Sequence, residues 1–85
     1  MKLVFHEVAW DEYRSWLRDD PKVLKRINQL IEDIRRNGYT GIGKPEPLRW
    51  KFTGYWSRRI THEDRLVYKI EGDEIRIAAC RYHYG

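Results

Sequence analysis

The chain has 85 residues, a net charge of +4 at neutral pH and one cysteine. That length supports one thin core in one domain, residues 1–85. The lone Cys80 excludes an intrachain disulfide, and no apolar run approaches the ~18 residues of a membrane span, so the expectation is a soluble protein of the reducing cytoplasm.

The opening MKLVFHEVAW begins with a short strand, KLVF, whose apolar run is too brief for the core of a signal peptide. A helix is predicted from about Glu7 to Asp19, with Ala9, Tyr13, Trp16 and Leu17 at helical spacing. A second helix is better marked. Asp20 can cap it, Pro21 suits its first position and Gly38 can end it. Val23, Leu24, Ile27, Leu30, Ile31 and Ile34 form one apolar stripe along it.

GYTGIGKPEP then reads as a loop, rich in glycine and proline. Glu46 lies between two prolines, whose rings stiffen the backbone on both sides of its carboxylate. LRWKF, YWSRRI, RLVYKI and EIRIAACRYHY read as strands, joined by connections short enough for hairpins. One strand, two helices and a meander suit an α+β fold, a twisted and mainly antiparallel sheet with helices on one face. A two-residue turn at Gly72–Asp73 pairs Ile70 with Ile75, Tyr68 with Ile77 and Leu66 with Ala79 on the core face. The opposite face then carries Arg65, Val67, Lys69, Arg76, Ala78, Cys80, Tyr82 and Tyr84.

Charge is concentrated in one region. From Lys44 to Arg59 the chain carries Lys44, Arg49, Lys51, Arg58 and Arg59 against the single acid Glu46. Such a cluster favours a phosphate-bearing partner, or is simply a solvated surface. Arg65 opens its strand and His83 closes the neighbouring one, so both lie at the same end of the sheet. The simple register puts them on opposite faces, and a bulge or a different turn length would be needed to bring them together.

A carboxylate on a stiff loop, several arginines, a late histidine and flanking tyrosines form a set suited to RNA cleavage. A base removes the proton of a 2′-hydroxyl, cations stabilise the phosphorane, and an acid protonates the departing 5′-oxygen. Aromatic rings can stack the bases. The three histidines and the cysteine lack metal-ligand spacing, and no metal or other cofactor is expected. Taken singly, Glu46, Arg65 and His83 also read as ordinary surface residues.

The stretches GKPEPL, WSRRIT, RLVY and AACRYHY resemble the YoeB toxins of the RelE superfamily, and the resemblance covers essentially the whole chain. It implies a RelE-like fold and a ribosome-dependent mRNA endonuclease, the toxin of a type II toxin–antitoxin system that cuts mRNA in the ribosomal A site. It also implies a cognate YefM-like antitoxin, a homodimer, and operator DNA contacted only through the antitoxin complex. By position, Glu46 matches the general base, His83 the general acid and Arg65 the transition-state cation. Lys44, Arg49, Arg59 and Tyr84 match positions that contact phosphate, ribosomal RNA or a base.

Three features depart from the family pattern. Arg49 stands where Lys is more usual, RWKF replaces a more polar stretch, and Gly85 follows the usual terminal tyrosine. Two other classes stay open on the sequence: a non-enzymatic, ParE-like gyrase poison of the same superfamily, and a basic RNA-binding module.

Overall fold

The computed structural model describes residues 1–83. In chain order it comprises β1 (Lys2–Phe5), α1 (Glu7–Asp19), α2 (Pro21–Asn37), β2 (Glu46–Pro47), a 3-10 turn (Trp50–Phe52), β3 (Trp56–Arg59), β4 (Arg65–Glu71) and β5 (Glu74–Tyr82). The strands form one sheet in the order β1-β5-β4-β3-β2. β1 runs parallel to β5, and every other pair is antiparallel. The expected α+β arrangement is what the chain adopts.

The two helices start and stop where local chemistry directs. Asp20 Oδ1 accepts a hydrogen bond from the Lys22 amide at 3.2 Å, Pro21 occupies the first turn, and the Gly38 amide closes on Ile34 O at 2.8 Å. The apolar stripe of α2 then packs on the sheet. Ile27, Leu30 and Ile34 are fully buried together with Leu66, Tyr68, Ile75 and Ile77. In α1, Ala9 and Trp16 face this core, whereas Leu17, expected among them, is exposed.

Truncating a fully buried isoleucine costs about 2–5 kcal/mol, and an unpaired carboxylate in its place adds a desolvation penalty. Ile27→Asp is therefore expected to lose its cooperative thermal transition, followed by circular dichroism. A melting curve like that of the wild type would show that α2 does not cover the core.

Between α2 and β3 two expectations from the sequence need correction. LRWKF is not a strand: Trp50–Phe52 forms a 3-10 turn, and Trp50 has φ = 60°. Conversely, the end of the glycine-rich segment is not all loop, because Glu46 and Pro47 pair with Ser57 and Trp56.

The β4–β5 hairpin begins as its turn dictates, with Ile70 opposite Ile75 and Tyr68 opposite Ile77. Two register shifts follow, so that Val67, and not Leu66 as expected, faces Ala79, and Arg65 faces Tyr82. The first shift reverses the alternation of β5 at Ala79 and Cys80, and the second restores it at Tyr82. Cys80, expected on the open face, is instead fully buried, with its Sγ 3.3 Å from Ala9 O. Burial, with the Glu12 charge nearby, pushes its thiol up to about 12. Val67 keeps its expected place on the face away from the helices, opposite Ser57 and Ala79, and is fully buried there.

Candidate functional site

Residues opposite one another on neighbouring strands share a face of the sheet. Glu46 pairs with Ser57, Ser57 with Val67 and Val67 with Ala79. The next row along the same face joins Arg59, Arg65 and Tyr82. Helix-packed Leu66 and Tyr68 alternate with these positions, so both rows lie on the face away from the helices. The register shifts in β5 matter here: without them, Cys80 rather than Tyr82 would stand opposite Arg65.

The segment between β2 and β3 turns over this face. Phe52 meets Tyr82 edge-on, with ring centroids 5.3 Å apart. Together with Glu46, Pro47, Leu48, Arg49, Trp50 and Lys51, these rings enclose a cavity of about 590 Å³. A cavity of that size takes a nucleotide-sized ligand. Its lining joins one carboxylate, two cations and three aromatic rings.

Glu46 owes its position to a buried guanidinium. The sequence counts Arg58 among the surface cations, but its side chain is fully buried. All five of its N–H groups are used. Nε donates to the Tyr68 hydroxyl, Nη1 to Asp33 Oδ2 and Ile42 O, and Nη2 to Gly38 O and Thr40 O. The loop from Gly38 to Ile42 therefore wraps around Arg58. Asp33 also accepts from the Ile42 amide at 3.0 Å, and hydrogen bonding to Arg58 is the main reason its carboxyl is held below the usual carboxylate range.

Two glycines make this wrapping possible. Gly41 has φ = 118°, and a Cβ there would collide with the Asp33 carboxylate; Gly43 has φ = 81°, and its Cβ would lie 2.8 Å from Leu30 Cδ2. Gly43 O then accepts the Arg59 amide at 2.7 Å, locking the loop to β3 just before Glu46. Lys44 and Trp50, on either side of Glu46 in the chain, adopt positive φ values of 54° and 60°. Each costs about 1–3 kcal/mol for a non-glycine residue, a cost found mostly at functional positions.

Of the residues expected from the sequence, Glu46 and Arg49 line the cavity, and Arg59 and Arg65 form the adjacent row. Lys44 is exposed two residues before Glu46. His83 is exposed immediately after Tyr82, at the Arg65 end of the sheet, and does not line the cavity. Its Nε2 lies 4.0 Å from Oδ1 of Asp64, an ion pair only when the ring is protonated. Asp64 is itself held by Thr61, whose hydroxyl lies 3.0 Å from Oδ2 and accepts the Asp64 amide at 2.9 Å. Tyr84 and Gly85 lie outside the described residues. Among the described residues, no cluster of three or more His, Cys, Asp or Glu side chains is placed to hold a metal, and no helix is long and apolar enough to cross a membrane.

The sequence did not single out Asp64, Trp50 or Phe52 as site residues. The Thr61-to-Asp64 spacing is a recognisable side-chain turn, but nothing in it announces the histidine.

The family model for the YoeB-like toxin of bacterial type II toxin–antitoxin systems matches residues 5–84. The chain belongs to the YoeB toxin family. It is 54% identical over 84 residues to the toxin YoeB of Escherichia coli strain K12, covering 99% of this chain and all of that one. Its fold matches a YoeB dimer from Staphylococcus aureus with a TM-score of 0.93 and 47% identity, over 99% of this chain and 98% of that one. A heterotetrameric YoeB–YefM toxin–antitoxin complex from the same organism matches with a TM-score of 0.90 and 47% identity, over the same shares of the two chains. The protein is thus a toxin of a type II toxin–antitoxin system with the RelE-like fold.

Proposed function

We propose that this YoeB-family toxin is a ribosome-dependent mRNA endonuclease that acts in the cytoplasm and halts translation by cutting mRNA in the ribosomal A site. The observation that carries this reading is the pair of register rows. Glu46, Arg59, Arg65 and Tyr82 share one sheet face beside a cavity lined by cations and aromatic rings, with His83 next along the chain.

In the proposed reaction Glu46 takes the proton from a ribose 2′-hydroxyl as its oxygen attacks the neighbouring phosphorus. Arg65 stabilises the added negative charge of the phosphorane. The P–O5′ bond breaks as His83 gives a proton to the leaving 5′-oxygen. The products are a 2′,3′-cyclic phosphate and a free 5′-hydroxyl, and the reaction consumes no water or metal. Lys44, Arg49 and Arg59 supply cations for phosphates along the strand, and Tyr84 supplies a ring for a base.

The YoeB–YefM assembly and the YoeB dimer among its relatives support a YefM-like antitoxin and a second copy of this chain as partners. Operator DNA would then be met only through the antitoxin complex.

The test is single-turnover cleavage of an mRNA placed in the A site of programmed ribosomes. A second mRNA carries a 2′-deoxy sugar at the cut. Cleavage of the first and not the second is expected, with a cyclic phosphate at the new end. Failure of the folded toxin to cut either mRNA would instead favour a gyrase poison or a binding module.

A further inference from the structure

Trp50 is 89% exposed on the rim of the cavity, the most exposed large hydrophobic side chain among the described residues. Packing does not account for it, since an indole in solvent stabilises no core. Turn chemistry does not account for it either, because its φ of 60° is a conformation that glycine or asparagine adopts more readily. The turn instead carries this ring at some conformational cost. On each side of it in the chain is a cation, Arg49 and Lys51, and both line the same cavity as Glu46.

An exposed indole between two cations has the character of a platform for single-stranded nucleic acid. Its face accepts a base, and the cations meet the phosphates on either side. A protein surface or a lipid would exploit the indole, but neither would call for cations on both sides of it around a cavity.

We propose that Trp50 stacks on one base of the single-stranded RNA whose scissile phosphate lies over Glu46, and so sets which nucleotide is presented for cleavage. This rests on the endonuclease reading above for the identity of the strand. It makes Trp50 a positioning residue, with no part in proton transfer.

The test uses a dye-labelled pentanucleotide with 2′-O-methyl riboses, which cannot be cut, and a series in which one base at a time is removed. Binding is followed by fluorescence anisotropy for the full-length toxin and for Trp50→Leu and Trp50→Phe. Both substitutions keep a side chain that is equally strained at this φ, so the backbone is not relieved. Loss of a base–aromatic stack weakens binding roughly tenfold or more, so Trp50→Leu is expected to show that loss and Trp50→Phe to retain most of the affinity.

The deciding result lies in the abasic series. Removing one particular base should weaken the wild type and abolish the difference between wild type and Trp50→Leu. An equal Trp50→Leu penalty at every abasic position, no penalty at all, or no binding by wild type would overturn the proposal. The same three proteins are then assayed on programmed ribosomes. Binding that depends on Trp50 without any cleavage would sink the endonuclease reading and leave the stack standing. Cleavage without Trp50-dependent binding would do the reverse.

Discussion

Arg58→Met is expected to unfold the protein or come close to it, although the substituted side chain is apolar and similar in reach. The guanidinium gives all five N–H groups to groups inside the fold. Removing it takes the counter-charge from the Asp33 carboxylate, takes the donor from the Thr40 and Ile42 carbonyls, and leaves the Gly38 carbonyl only the Tyr68 hydroxyl. Breaking a buried charge pair from one side costs about 3–5 kcal/mol, a large share of a total that is typically 5–15 kcal/mol. For a chain of this length the melting temperature should fall by roughly 15–30 °C. Thermal denaturation of the purified variant decides the matter, and a fall of under 5 °C would show that the loop holds itself in place.

The same pair predicts how stability responds to acid. Hydrogen bonding to Arg58 holds the Asp33 carboxyl below its usual value. A folded-state value below the unfolded one, about 3.9, means that the stabilisation is complete at neutral pH and is lost as pH falls through the folded value. Asp33→Asn should therefore be less stable than wild type at pH 7 and lose less on acidification. The surface carboxylates Asp19 and Glu71, lowered by Arg81 and Lys69 respectively, leave some acid dependence in either protein.

Arg58 also shows which parts of this fold could be read from the sequence. The second helix was legible end to end because its signals are local: a capping aspartate, a proline, an apolar stripe and a glycine. The buried arginine was not, because its partners are carbonyls of a loop some sixteen to twenty residues away that exists only when folded around it. RWKF misled for a related reason. Leu48, Trp50 and Phe52 alternate like a strand, but Trp50 takes a positive φ and turns the chain over the sheet.

The candidate site was legible only in part, and its geometry was not. Glu46 and Arg65 could be named as candidates from residue type and from family resemblance, and the placement of Arg65 and His83 at one end of the sheet followed from strand direction. What aligned Arg65 with Tyr82 was a two-residue slip in β5, and period-two patterning carries no trace of it. That slip buries Cys80 against α1 and gives its place opposite Arg65 to Tyr82. Arg58, adjacent to Ser57, ties the loop that leads into Glu46 to the strand with which Glu46 pairs. Stability and the aim of the proposed base thus depend on one side chain.

Glu46→Ala and His83→Ala are each expected to abolish growth inhibition and to lower single-turnover cleavage by about 10²–10⁴-fold. Both side chains are exposed, so each variant should melt within a few degrees of wild type, which separates lost chemistry from lost fold. The double variant should be little worse than the poorer single one, because groups acting in one transition state do not contribute additively. The two roles can be told apart through the leaving group. An mRNA whose scissile 5′-oxygen is replaced by sulfur expels a thiolate, which needs no proton. It should restore cleavage by His83→Ala towards the wild-type rate and leave Glu46→Ala inactive, since the 2′-hydroxyl must still be deprotonated. Equal rescue of both variants would remove the assignment of base to Glu46 and acid to His83. Rescue of neither, in proteins that fold and bind, would mean that His83 orients the strand and another group protonates the leaving oxygen.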